Sequence, residues 1–179
     1  MNVYLVGYRA SGKSTVAPLV ARRLGDDWRW VDMDERLERD AGRTIAEFFD
    51  QEGEPAFRLA ESRLLAELAE QDRLVVATGG GVVLSRANRA LLRKGCAVWL
   101  QGRPESLWSR LQSDPSTSRR RPNLTPAGGI EEIRRLLDER TPHYQEVARR
   151  SIWTEDSTPE ELADALVESV RPLLNAGDS

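Results

Sequence analysis

The run Gly7-Tyr8-Arg9-Ala10-Ser11-Gly12-Lys13-Ser14-Thr15 sets two glycines, a lysine and two hydroxyls at the spacing G-x-x-x-x-G-K-S-T. That spacing suits phosphate binding. Backbone N–H groups of such a loop converge on phosphate oxygens, Lys13 brings a mobile positive charge to the β- and γ-phosphates, and Ser14 offers a hydroxyl to Mg²⁺. An apolar strand candidate (3–6) precedes the loop and a helical run follows it, so the partial positive charge of a helix N-terminus adds to the site. A chance glycine turn has no such setting.

Phosphoryl transfer needs more than a cradle. It needs a metal ligand, a group that orients or deprotonates the acceptor, positive charge on the transferred group and a second-substrate pocket. In Val31-Asp32-Met33-Asp34, a strand extended through both acids would point the two carboxylates to one side, one for Mg²⁺ and one to take a proton. The competing reading makes Asp34 the N-cap of a helix that starts near Glu35. The third strand ends at Ala77-Thr78 without an acid, so Asp32 has to supply the metal carboxylate. Gly79-Gly80-Gly81 follows, and three glycines that raise the entropy lost on folding fit close approach to a ligand or a tight turn. Arg58 stands between two readings. It pairs with a substrate anion in a pocket walled by Phe49 and Phe57, with Glu61 holding it at i+3, or it is a surface arginine beside two core phenylalanines. Arg119-Arg120-Arg121 is either a solvated charge run or the source of a transition-state cation, and Arg140 is a further cationic candidate.

Alternating elements position these groups. Strands are predicted at 3–6, 30–31, 74–77, 97–100 and 151–153. Helices are predicted at 13–24, 34–41, 45–52, 55–70, 86–94, 105–112, 130–149 and 159–174. Thr158, Pro159, Glu160 and Glu161 give the last helix a strong start. The alternation implies a three-layer α/β/α fold around a parallel sheet. Ligands in such sheets lie at the strands' carboxyl ends, which selects Gly7, Asp32, Gly79 to Gly81 and Gln101 as the rim. The Pro-, Ser-, Arg- and Gly-rich stretch 114–129 is the candidate mobile lid.

Composition narrows the function. A length of 179 residues suits one domain, and a net charge of −3 argues against a general nucleic-acid surface. Cys96 is the only cysteine, which excludes an intrachain disulfide and a cysteine zinc cluster; a buried structural thiol is expected. His143 is the only histidine, which removes most histidine-based metal or triad chemistry. No basic leader precedes a long apolar stretch and no run has transmembrane length, so a soluble cytoplasmic protein is expected. Residues 175–179 read as a frayed end.

Taken together, the ordered motifs resemble the shikimate kinase family: G-x-x-x-x-G-K-S-T, the D-x-D of Asp32 and Asp34, G-E-x-x-F-R at Gly53 to Arg58, Gly79-Gly80-Gly81, R-P-x-L at Arg121 to Leu124, and R-x-P-x-Y at Arg140 to Tyr144. The resemblance spans about residues 3–170. It implies a nucleoside-monophosphate-kinase-like P-loop NTPase fold with a five-stranded parallel sheet in the order 2-3-1-4-5, built as a single kinase domain over 1–179. The lid would lie at about 114–129 and a substrate-binding helical region at about 33–61. It implies transfer of the γ-phosphate of ATP to the 3-hydroxyl of shikimate by a monomer without nucleic-acid or membrane partners. By the same analogy Ala10, Ser11, Gly12, Lys13, Ser14 and Thr15 hold the phosphates, Ser14 and Asp32 serve Mg²⁺, and Arg110 lies against adenine. Asp34 binds the acceptor hydroxyls as base, Arg58 and Arg140 clamp the carboxylate, Gly80 offers an amide, and Arg121 closes over the phosphates. Two departures stand out. Tyr8 and Arg9 make the front of the loop bulky, and 154–158 lacks the basic residue that the family often has there, so no arginine contact to adenine is expected from that loop. Two rival readings are a related small-metabolite kinase, such as gluconate kinase, and a catalytically silent nucleotide-binding module. The retained Lys13, Asp32, Asp34 and Arg121 speak against the second.

Overall fold

Five parallel strands build the sheet in the order β2-β3-β1-β4-β5. They are β1 (Val3–Val6), β2 (Arg29–Asp32), β3 (Leu74–Ala77), β4 (Cys96–Gln101) and β5 (Arg150–Trp153). The structure is a computed structural model and describes residues 1–113, 129–155 and 157–175. Its helices are α1 (Lys13–Leu24), α2 (Met33–Ala41), α3 (Ile45–Ala69), α4 (Arg86–Leu92), α5 (Pro104–Ser113), α6 (Gly129–Val147) and α7 (Pro159–Asn175), with a 3₁₀ turn at Val82–Leu84.

Strand side chains alternate between the two faces. On β1, Val3 and Leu5 join α1 and α7 in one apolar cluster that includes Val16, Val20, Leu166 and Val170. Tyr4 and Val6 join the other, with Phe57, Leu65 and Leu68 of α3 and Tyr144 of α6. Each fully buried aliphatic side chain contributes about 1.5–3 kcal/mol, so β1 and β3, buried along their whole lengths, anchor the architecture. The outer strands β2 and β5 are largely exposed, as befits sheet edges.

Caps set the helix ends. The α3 start carries a capping box, with Thr44 and Glu47 bonded reciprocally. Thr158 and Glu161 repeat it at α7, where the sequence predicts the cap. The two helices predicted at 45–52 and 55–70 form one bent element, because Gly53 leaves helical geometry at φ 82° just ahead of Pro55. Helix α6 stops at Val147 rather than 149, since the Arg149 amide already pairs with the Ala97 carbonyl on β4.

Asp34 does not cap a helix. Asp32 closes β2 at φ −93° and accepts the amides of Asp34 and Glu35 on its side chain, at 2.8 and 3.2 Å for Oδ1. The extended D-x-D geometry expected from sequence is therefore replaced by a strand-to-helix turn, in which Asp34 belongs to the first turn of α2. A carboxylate bonding two free helix amides wins over another extended residue.

Candidate active site

The loop after β1 depends on backbone that only some residues adopt. Gly7 sits at φ 143°, and a Cβ there would fall 2.5 Å from the Leu100 carbonyl oxygen of β4. Ala10 (φ 60°) and Gly12 (φ 90°) also take left-handed backbone, with Gly12 at the N-cap of α1. Such backbone turns successive amides toward one concavity. The buried Lys13 ammonium donates to the carbonyls of Gly7 (3.0 Å) and Tyr8 (2.7 Å) and to Ser11 Oγ (3.2 Å). The cation is thereby held inside the loop it follows.

A cleft of about 550 Å³ opens over this loop. Its floor is Ala10 to Thr15, including Ser14. One end is formed by Arg110, Thr154, Ser157, Pro159 and Leu162. Arg110 reaches it by donating to Thr154 Oγ1 (2.9 Å) and to the Thr154 carbonyl (2.6 Å), so it is tied to the loop that follows β5. The other end holds Asp32, Asp34, Glu35, Glu38, Thr78 and Gly80.

The glycine triplet packs this acidic end together. A side chain at Gly79 would meet Glu61 and Asp34, and one at Gly81 would meet the Arg58 guanidinium 2.5 Å away. At Gly80 it would press on the Gly7 carbonyl and the Arg9 amide at 3.3 and 3.4 Å. Absent side chains therefore let Asp34, Glu61, Arg58 and the phosphate loop converge. Arg58 bonds Glu61 (2.9 Å) and Glu54 (3.1 Å). Burial pulls its pKa down, but those two carboxylates more than offset this and leave it above the ordinary arginine value. The rings of Phe49 and Phe57 pack together at 4.8 Å, with Phe57 buried in the core and Phe49 partly buried against it.

Arg140 is only 5% exposed, and no carboxylate pairs with it among the described residues. Its Nε is buried without a partner. It lies beside the Tyr144 phenol, which donates to the Gly80 carbonyl at 2.6 Å. Burial raises the Tyr144 pKa well above the usual phenol value, with Arg140 opposing, so Tyr144 stays a donor at any working pH.

The predicted site residues thus fall into two groups. Ala10 to Thr15, Asp32, Asp34, Gly80 and Arg110 line one cleft. Arg58 and Arg140 stand behind it, against Gly81 and Tyr144, and Gln101 lines a separate hollow below the loop. Arg121, with Arg119 and Arg120, lies outside the described residues. Sequence reading missed Glu38, which follows Asp34 at i+4 and so shares its face of α2, a spacing that marks it.

A mostly buried parallel sheet with a phosphate loop at its first switch point, and a cleft that joins that loop to a carboxylate-lined end, defines a P-loop phosphotransferase for small molecules. The family model for shikimate kinase matches residues 9–171. The chain belongs to the shikimate kinase family, and ATP is the co-substrate of the reaction its enzymes carry out. A shikimate kinase of Symbiobacterium thermophilum is 40% identical over 179 residues, covering 99% of both chains. One of Gloeobacter violaceus is 47% identical over 146 residues, covering 80% of this chain and 78% of its own. Among solved structures, a shikimate kinase from Acinetobacter baumannii in complex with shikimate superposes with a TM-score of 0.87 at 34% identity, covering 96% of this chain and 93% of that one. Family membership favours the kinase reading, with shikimate as acceptor, over the silent-module and gluconate-kinase alternatives.

Proposed function

We propose that the chain transfers the γ-phosphoryl group of ATP to the 3-hydroxyl of shikimate, giving shikimate 3-phosphate and ADP. The observation that carries the reading is the single cleft that runs from Arg110, across the phosphate loop, to Asp34 and Gly80. ATP lies with its phosphates on Ala10 to Thr15 and its base toward Arg110. Shikimate lies at the acidic end, its hydroxyls on Asp34 and the Gly80 amide. Its carboxylate is taken by Arg140, a buried cation with no carboxylate partner among the described residues, and by Arg58, held in place by Glu61. Asp34 accepts the proton as the hydroxyl oxygen bonds to the γ-phosphorus; the bond to the bridging oxygen breaks and its electron pair leaves with ADP. Lys13 stabilises the charge on the transferred group. Arg121, from the lid proposed over 114–129, adds to that charge stabilisation.

The donor set fits Mg²⁺. The cap uses Asp32 Oδ1, which leaves the other carboxylate oxygen for a cation, and Ser14 lines the same cleft. Among the described residues no group of three His, Cys, Asp or Glu side chains is placed to hold a metal. One carboxylate and one hydroxyl are what a Mg²⁺ ion needs when phosphates and waters complete its shell. When bound, it neutralises charge on the β- and γ-phosphates.

Residues 1–179 form a single kinase domain in this reading, with the acceptor bound by the helical region at about 33–61. It works as a cytoplasmic monomer on small molecules. No described helix is long and apolar enough to cross a membrane.

Coupled measurement of ADP release tests the reading: saturable turnover with shikimate is expected, and turnover with gluconate instead would refute it. Arg58→Ala removes a charge-assisted contact worth about 1.5–3 kcal/mol and is expected to raise the shikimate KM about 10–100-fold. An unchanged KM and kcat/KM would take Arg58 out of the pocket. Asp32→Asn keeps a competent helix cap, so its melting temperature stays near that of the unchanged protein. The Mg²⁺ concentration for half-maximal activity is expected to rise about tenfold or more, as happens when even an outer-shell partner is lost. An unaltered Mg²⁺ dependence would remove Asp32 from the metal site.

A further inference from the structure

We infer that helix α6 acts as a spacer that sets the distance between phosphoryl donor and acceptor, pinned to the phosphate loop by Glu132 and to the glycine triplet by Tyr144. The inference rests on the shikimate kinase reading of the cleft and assigns two positioning residues to it.

The helix presents Glu132, Leu136, Arg140 and Tyr144 along one i, i+4 row, and all four are buried. Twelve residues of α-helix span about 18 Å, and the row stays helical through Pro142, which lies between Arg140 and Tyr144. At the first end, the Glu132 carboxylate, fully shielded from solvent, accepts from Arg9 Nη2 at 2.8 Å. Arg9 belongs to the phosphate loop, 123 residues away in sequence. One turn on, Leu136 packs with Tyr8 of the same loop, together with Leu107, Leu111 and Ile133. Arg140 follows, beside the hydroxyl of Tyr144. At the far end Tyr144 donates to the Gly80 carbonyl at 2.6 Å, and its ring stacks on Trp99 of β4 at 5.6 Å.

The row therefore fastens the donor side at one end and the acceptor side at the other, and carries the acceptor-clamping arginine between them. Gly80 itself packs directly on the loop backbone at Gly7 and Arg9. Loop, triplet and helix close into a three-membered frame. A frame of this kind is what in-line transfer demands, because attacking and leaving oxygens must be held to a few tenths of an ångström, and a 1 Å error can lower the rate about 100-fold. Burial makes both fastenings costly to break, because the Glu132 carboxylate is fully shielded from solvent and Tyr144 is fully buried. Neither residue is placed to touch the reacting atoms. The bulk of Tyr8 and Arg9 at the front of the loop also finds its use here, as the surface that α6 grips.

Tyr144→Phe and Glu132→Gln test the inference in the full chain, with Glu132→Asp, whose shorter carboxylate falls short of Arg9, used where Glu132→Gln does not fold. Equilibrium binding of ATP–Mg²⁺ and of shikimate, the single-turnover rates of shikimate 3-phosphate and of ADP formation per folded molecule, and the thermal midpoint are measured for each. Both substrates are expected to bind within about threefold of the unchanged protein, while the transfer rate falls about 10–100-fold and a larger share of ATP is lost to water. A transfer rate per folded molecule within twofold of the unchanged protein would overturn the inference and leave the residues a purely structural role. A rate loss wholly explained by weaker binding of one substrate would overturn it as well. Failure of the unchanged protein to phosphorylate shikimate would instead bring down the reading of the cleft, and the spacer role with it.

Discussion

Asp34→Asn is expected to lower kcat with shikimate about 10²–10⁴-fold and to leave ATP binding nearly intact. The carboxamide has the size of the carboxylate and occupies the same place in the first turn of α2, so packing against Gly79 is preserved. What it loses is the ability to take a proton. The α2 cap belongs to Asp32, so no helix start is undone by the change. The phosphate loop lies across the cleft on other elements, which separates donor binding from the altered group. Parallel titration of ATP binding and measurement of kcat check both halves. Full turnover in the variant would refute the base assignment, and equal loss of ATP binding would point to a damaged cleft.

Gly7→Ala is expected to destabilise the protein by about 2–5 kcal/mol, the sum of left-handed strain on an L-residue and overpacking of a buried site. At φ 143° the backbone disfavours any side chain, and the added methyl would press on the Leu100 carbonyl oxygen. That oxygen belongs to β4, an interior strand paired with both β1 and β5, so it has no room to retreat. Gly12→Ala supplies the comparison. It too sits at positive φ, 90°, but nothing lies within 4 Å of a Cβ there, so only the strain, about 1–2 kcal/mol, applies. Urea unfolding of the two variants should rank them in that order. A smaller loss at Gly7 than at Gly12 would show that the crowding against β4 has been misread.

Much of the cleft was legible because its residues lie next to one another in sequence. Gly7 to Thr15, Asp32 with Asp34, and the three glycines announce themselves by local spacing, and their common rim follows from the rule that ligands sit at strand carboxyl ends. The apolar blocks 3–6 and 74–77 named the central strands for the same reason. Exposed β2 was read two residues short, since Arg29 and Asp32 carry no apolar signal. That Asp32 rather than Asp34 caps α2 was hidden because both capping and extension suit an acid at a strand end, and only three-dimensional placement of the α2 amides decides between them. The contact between Phe49 and Phe57 depends on the bend at Gly53, which fixes how the two halves of α3 meet and which no local pattern specifies. The Arg9–Glu132 bond joins a variable position of the phosphate-loop motif to a residue 123 positions away that lies in no motif, and no local pattern foretells it.

The lone thiol has a practical consequence. Cys96 is 0% exposed in interior strand β4, its amide bonded to the Asn2 carbonyl at 2.8 Å, and burial raises its pKa against the pull of Arg149 and Arg150. With no second cysteine anywhere in the 179 residues, a maleimide added to the native molecule finds nothing to alkylate until β4 leaves the sheet. Uptake of one label per chain thus works as a clock for whole-molecule opening, already built in and needing no engineered probe.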